Sequence, residues 1–409
     1  MSAQSALSGI KVVEIGEGVA LGYCGALFAA CGANVIKVEA PGKGDAVRRL
    51  PPFAPGVAAP EASGMHAFLS AGKSNIAIDL TKPDGAALVL DMIRDADIIL
   101  DAMGPGMGAA VSLGYDHVKA VAPNVTMVAL SWFGDDGTRR DWLGSDAIAQ
   151  ALAGFIYPIG EKDGPPIIPG GYFAQITGGL TAFNAAMTAL IGNQAGDDGA
   201  YIDLSIQEAQ TTYTETAGVR LAYDGPVSIR RSVNIFTPTY PQTIYPASDG
   251  WIGVTVLTPQ QWRTCCELLD APELADDPRF LTAETRSVRA HELDEILLPL
   301  FAKRPALEWF HAAQTRRVPL ALVPTMADLA DLDHFQARDV LATYQHPDLG
   351  EFTAATIPWK LAATPLHRGG TAPRLGQHTH DVLLELGMDE AKIAAFASQG
   401  VISLGGATS

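Results

Sequence analysis

The first third of the chain alternates continuous apolar runs with stretches of helical spacing. "IKVVEI" (10–15), "NVIKVEAP" (34–41), "NIAIDL" (75–80), "DIILDA" (97–102) and "NVTMVALSWFG" (124–134) have the length and texture of buried strands, and a proline stops the second. Between them, "ALGYCGALFAACGA" (20–33) sets small residues at helical spacing, and "PDGAALVLDMIRDA" (83–96) opens on Pro83 with small and apolar residues on one face. Buried strands alternating with helices predict a parallel sheet covered on both faces. The expected fold class is α/β: a doubly wound, mostly parallel sheet in a large domain.

The texture changes near the middle. "TIYPASDGWIGVTV" (243–256) reads as two strands around a tight Asp-Gly turn, and helical stretches follow from "PQQWRTCCELL" to "PALEWFHAAQ". Residues 225–325 are expected to form a smaller α+β domain, with 1–224 as the N-terminal part of the large domain. Residues 326–409 are then a return segment that completes it, carrying a helix in "THDVLLELG" and another after it. The sequence holds no repeat and no low-complexity segment.

A length of 409 residues allows a large core and two domains. The net charge of −17 opposes binding to nucleic acid or to an anionic membrane, so an anionic ligand would need a local positive site. The four cysteines (Cys24, Cys31, Cys265, Cys266) lack metal-like spacing and are expected as free thiols in a reducing cytosol. "MSAQSALSGIKVVEIG" has no signal-peptide core, and no apolar run approaches the roughly 18 residues of a membrane span. A cytoplasmic protein is expected. The histidines are scattered, and His378 and His380, at i and i+2, do not share a helix face, so no metal site is predicted.

One stretch has the form of a catalytic turn. "GGYFAQITGGL" (170–180) is a glycine pair, a short apolar run and a small-residue entry into a helix. Its centre is Gln175, an amide that can neither attack nor take a proton.

Residues 8–49, "SGIKVVEIGEGVALGYCGALFAACGANVIKVEAPGKGDAVRR", resemble the opening of the class III CoA-transferase family. That family includes formyl-CoA transferase, carnitine CoA-transferase and 2-methylacyl-CoA racemase. The likeness continues in family order through "GKSNIAIDL" (72–80), "ADIILDAMGPG" (96–106), "SLGYDHVKAVAPNVTMVALSWFG" (112–134) and "SDAIAQALAGF" (145–155). It runs on through "GAYIDLSIQEA" (199–209), "DDPRFLTAETRSVRAHELD" (276–294), "RRVPLALVPT" (316–325) and "APRLGQHTHDVLLELG" (372–387). No single piece is decisive; the ordered set is specific.

The resemblance implies a large domain built from both chain ends, a small domain between them, and two chains wound into an interlocked dimer. It implies that coenzyme A thioesters are substrates, with no permanently bound cofactor. One aspartate attacks the acyl-CoA, forms a mixed anhydride and then an enzyme–CoA thioester, and CoA passes to an acceptor carboxylate. That aspartate lies four residues before a glycine at the start of a helix, and here the position is Gln175, four before Gly179. The flanking carboxylates, Asp163 and Asp197, do not fit the register. The family's early Gln-Ala-Gly-Pro is Val19-Ala20-Leu21-Gly22, and an arginine that helps hold the CoA phosphates in some transferases is Ala40. "E-N-F/Y-x-P-G" becomes Asp101-Ala102-Met103-Gly104-Pro105-Gly106, and the arginine that usually follows is missing from "MGAAVSLG". Lys73, Asp45 and Arg48 are retained.

By resemblance, the CoA site falls on Val19, Ala40, Lys73, Ala102 and Met103, and the substrate pocket on Gln150 and Gln175. The racemase branch uses a His in a "G-H-D" turn with the Asp as proton carriers; here the turn is Gly144-Ser145-Asp146, so both are lost. Three readings follow. The first is a non-catalytic subunit beside a catalytic sister chain, as a heterodimer or heterotetramer. Succinyl-CoA:benzylsuccinate CoA-transferase of aromatic degradation exemplifies that arrangement. The second is a self-sufficient enzyme, as a homodimer, with altered CoA-ester chemistry such as an isomerase, racemase or lyase. The third is a non-catalytic acyl-CoA-binding protein.

Overall fold

The computed structural model describes residues 5–196, 198–223, 230, 232–235, 239–366 and 369–405. Asp197, His367 and the predicted domain boundary at 224/225 lie outside the described residues. The apolar runs become strands β1 (Lys11–Gly16), β2 (Asn34–Glu39), β3 (Ser74–Ile78), β4 (Ile98–Ala102) and β5 (Thr126–Ser131), joined by β6 (Tyr201–Ser205). With β12 (Ile402–Ser403) they make a seven-stranded sheet in the order β12-β3-β2-β1-β4-β5-β6. All neighbours are parallel except β12, which adds antiparallel to β3.

The chain winds outward from β1 in one direction, then returns to build from β4 in the other. The switch of direction between β1 and β4 opens a crevice at the carboxyl ends of the strands, where open α/β sheets bind ligands. Helices α1 (Val19–Ala30), α2 (Gly64–Ser70), α3 (Pro83–Ile93), α4 (Met107–Ala110), α5 (Tyr115–Val121), α6 (Asp146–Leu152), α7 (Phe173–Gln194) and α8 (Ile206–Thr211) intervene. The α1 and α7 side chains Leu21, Leu27, Phe28, Ala182 and Ala186 share a core with Val12, Ile98 and Val128 of the sheet. Leu88, Val89 and Ile93 of α3 and Val118 of α5 form a second core, with Val13, Ile76, Ile99 and Met127. The sheet is therefore covered on both faces.

By its internal contacts the chain divides into two units. One runs through Ile156, resumes at Ile168–Val219 and takes the chain from Asp339 onward; the other is Tyr157–Ile167 with Arg220–Arg338. The sequence places its boundaries near 224 and 325; the contacts carry the second unit to Arg338 and give it the 157–167 loop. After α9 (Glu215–Tyr223), the second unit holds an antiparallel sheet of β7 (Gln242–Pro246), β8 (Trp251–Thr255) and β9 (Leu320–Leu322). Helices α10 (Pro259–Leu268), α11 (Ala283–Val288), α12 (Ala290–Phe301), α13 (Ala306–Thr315) and α14 (Asp333–Ala337) complete it. Its core is aromatic, with Tyr245, Trp262, Phe280, Phe301 and Trp309 buried together. The returning chain forms the hairpin β10 (Leu341–His346) and β11 (Gly350–Ala355), then α15 (Thr379–Glu385) and α16 (Glu390–Ser398). Val382, Leu383 and Ile393 of these helices enter the core shared with α3 and α5.

Candidate functional site

Helix α7 begins where the sequence sets its small residues. A Cβ on Gly179 would sit 2.5 Å from the Ala20 carbonyl oxygen, and one on Gly178 would sit 2.9 Å from Ile206. Two adjacent glycines thus let α7 cross α1 and α8 at contact distance. Tyr172, preceding the helix, gives no side-chain cap. Asp146 supplies one from a distance: its Oδ1 accepts from the Ala174 N–H at 3.0 Å and its Oδ2 from the Gln175 N–H at 3.1 Å. A carboxylate at a helix start satisfies orphan donors and complements the helix dipole.

The Gln175 side chain then reaches the start of α1. Its Oε1 accepts from the Val19 N–H at 3.3 Å, and the neighbouring Gly18 N–H donates to Asp45 Oδ1 at 3.0 Å. Helix α1 has no side-chain cap of its own, so Gln175 and Asp45 serve its first turn. Val19 is buried against Val47 and Leu69, and its backbone supports Gln175.

A cleft of 470 Å³ opens at Gln175, lined among others by Trp132, Ser145, Asp146, Gln150 and Tyr172. Among the described residues, no lysine, arginine or histidine lines it. Among the described residues Asp146 is its one carboxylate, held by two backbone donors and by Gln150 Nε2 at 2.9 Å. Gln150 is fully buried, and its Oε1 has no donor among the described residues. Gln175 and Gln150 are therefore brought together. The carboxylate beside them closes the start of a helix.

Ala40, Ala102 and Met103 meet at the crevice between the two halves of the sheet, lining a pocket of 360 Å³ with Glu17, Asp79 and Met107. No cation is among the described lining residues. Arg140 Nη2 lies 3.3 Å from where a Cβ on Gly106, in the loop just before Met107, would be. Asp101, at the end of β4, is buried and its Oδ1 accepts from the Met103 N–H at 2.8 Å. Burial, with a smaller push from Asp135, raises its carboxyl to about 6.

Lys73 stands apart from both sites. It is buried, with its Nζ 2.6 Å from Glu14 Oε2 and 2.9 Å from the Gly22 carbonyl. Glu14 Oε1 meets Lys37 at 2.6 Å, and Lys37 meets Asp45 Oδ2 at 2.7 Å. Glu39 Oε2 takes Arg48 Nε at 2.7 Å and the Asp45 N–H at 2.8 Å. Arg48 continues to Glu61 at 2.7 Å and to the Pro373 carbonyl at 3.2 Å. Burial pulls Lys37 down, but Asp45, Glu14 and Glu39 together hold its ammonium above the ordinary value. For Lys73 burial prevails and its value falls. His66, buried beside Arg48, is held well below the imidazole range by burial and that positive neighbour. The retained Asp45, Arg48 and Lys73 thus join the Gln175 turn to the returning chain.

Asp146 as a helix cap, Arg140 over Gly106 and the raised Asp101 were not legible in the sequence. Each depends on a long-range approach. The one signal was Asp146 standing at its place in the "G-H-D" turn while Ser145 takes the histidine's place.

The chain matches CoA-transferase family III over residues 7–379. It is 30% identical over 407 residues to the succinyl-CoA–D-citramalate CoA-transferase of Chloroflexus aurantiacus, covering 97% of this chain and 98% of that one. The succinyl-CoA–L-malate CoA-transferase beta subunit of the same organism is 27% identical, covering 97% and 98%. A crystal structure of a CaiB/BaiF family protein from Brucella suis superimposes with a TM-score of 0.84 at 25% identity, covering 94% of this chain and 100% of that one. On the match across its length and the identity to a curated transferase, the chain belongs to CoA-transferase family III.

Proposed function

We infer that this chain is a subunit of a class III CoA-transferase that leaves the covalent step to a partner chain. The reaction would move CoA from an acyl-CoA such as succinyl-CoA to a carboxylic acid. The observation that carries this is Gln175 at the head of α7, with the cleft's one carboxylate bound to backbone donors. An amide cannot form the anhydride on which transfer depends. Relatives named as succinyl-CoA transferases support the donor, and a relative named as a beta subunit supports a multi-chain assembly. A sister chain carrying an aspartate at the corresponding turn would supply the nucleophile, in an interlocked pair. An acceptor of the benzylsuccinate type rests only on the pattern of a pair with one silent member.

The test is to incubate the purified chain, alone and with an aspartate-bearing sister chain, with succinyl-CoA. Trapping with hydroxylamine and peptide mass spectrometry should locate the adduct on the sister chain. An acyl or CoA adduct on any carboxylate of this chain would overturn the reading.

A further inference from the structure

We propose that Gln175 binds the carbonyl oxygen of an acyl thioester through its side-chain N–H group, so that this chain holds an acyl-CoA without attacking it. This rests on the proposed function in taking an acyl-CoA to be what reaches the cleft, and it names the group that the cleft recognises.

The orientation of the amide is fixed by its partner. Oε1 accepts from the Val19 N–H at 3.3 Å. Reversing the amide would set one N–H donor against another, so this assignment follows from the chemistry of the contact. With Oε1 turned toward the start of α1, Nε2 is the free end of the side chain. It has no hydrogen-bond partner among the described residues, and Gln175 lines the 470 Å³ cleft. The Gln175 backbone N–H is already held by Asp146. The side-chain amide is thus the donor that this residue has left to offer.

The remaining lining decides what that donor can take. A free carboxylate would enter a cleft with no lysine, arginine or histidine among the described residues of its wall and with Asp146 already present. Like charge and the lack of a cation both oppose it. A thioester carbonyl is neutral and needs one donor. An aspartate at this position would turn an anionic oxygen toward the carbonyl carbon, whereas glutamine turns an N–H toward the carbonyl oxygen. No bond is made or broken. The contact draws charge onto the oxygen, which is the role of donors that polarise a carbonyl.

The probe is acetyl-CoA labelled with carbon-13 at the thioester carbonyl, observed by difference infrared spectroscopy on the full chain. Free CoA is titrated in parallel. The carbonyl band should move to lower frequency on binding. Gln175→Glu keeps an oxygen for the Val19 N–H but removes the donor, and Gln175→Met removes both at similar length. Both variants should lose the band shift and bind acetyl-CoA about three- to tenfold more weakly, with CoA binding unchanged. If Gln175→Glu fails to fold, Gln175→Met carries the test. An unshifted band in the parent, a shift kept in the variants, or no binding of acetyl-CoA overturns the inference. The first two results leave the proposed function standing, since that reading is judged by where the covalent adduct forms.

Discussion

Asp146 shows how one side chain can decide a site it does not catalyse. It reaches across 28 residues to close the first turn of α7 through Ala174 and Gln175, and it also holds Gln150. Asp146→Ala should cost about 1–2 kcal/mol, the usual worth of a lost cap, and free the turn that carries Gln175. Asp146→Asn keeps the acceptor oxygen and should lose less; thermal denaturation of both variants checks the order. Asp101 gives a pH test of opposite sign to ordinary acid denaturation. Its carboxyl is raised from 3.8 to about 6 by burial. Between about pH 4 and 6 the native state keeps a proton that the unfolded chain has lost. Stability from this residue therefore falls as pH rises through that window and is level above it. Asp101→Asn keeps the acceptor for Met103 and removes the titration. It should gain stability over the parent across this window, by at most about 3 kcal/mol. A midpoint difference that stays flat with pH would remove the claim.

Within the elements, much of the architecture could be read from the sequence. Runs such as "IKVVEI" and "DIILDA" set apolar residues at consecutive positions because a parallel strand is buried on both faces, which separates them from amphipathic helices. Strand β12 was not readable: it is two residues long and exists by pairing with β3. The β10–β11 hairpin was also missed, since its strands are half-buried or exposed and lack a strong apolar pattern. The charges inside the apolar runs were visible, but their purpose was not. Glu14 and Lys37 sit opposite each other because β1 and β2 pair in parallel at that register. Lys37 also holds the buried Asp45, which pairs with no other cation among the described residues, so Lys37→Met leaves a buried carboxylate uncompensated and should destabilise by about 3–5 kcal/mol. Glu14→Gln combined with Lys37→Met should cost less than the sum of the two single changes. Chemical denaturation of the three variants measures this, and strict additivity would show that the pair is not coupled.

For the whole molecule, two features bear on assembly and activity. Leu180 and Ile191 lie eleven residues apart on α7, about three turns, and so share one side of the helix. They are 39% and 63% exposed, and Ile148 and Leu152 of α6 are exposed too. Apolar side chains so placed favour a partner chain, and the chain should sediment as a dimer with itself or with its sister; a stable monomer at micromolar concentration would count against the interlocked assembly. Activity asks for more than one residue. Gln175→Asp supplies a carboxylate at the family position, yet aspartate is one methylene shorter and stands beside Asp146, whose oxygens already bind that turn. Attack also needs a held thioester, and positioning can account for several kcal/mol of the barrier. The crevice that would hold CoA has Ala40 and Ala102 in its wall, with Glu17 and Asp79 beside them and no cation among the described lining residues. Each charge-assisted phosphate contact that is missing costs about 1.5–3 kcal/mol, so two weaken CoA binding roughly a hundredfold or more. Gln175→Asp alone should therefore stay near background in steady-state transfer from succinyl-CoA, while calorimetry finds CoA bound weakly by the parent. Robust turnover by that single variant, or micromolar CoA binding by the parent, would mean that the glutamine is the site's one departure, and the chain would then be an enzyme in its own right.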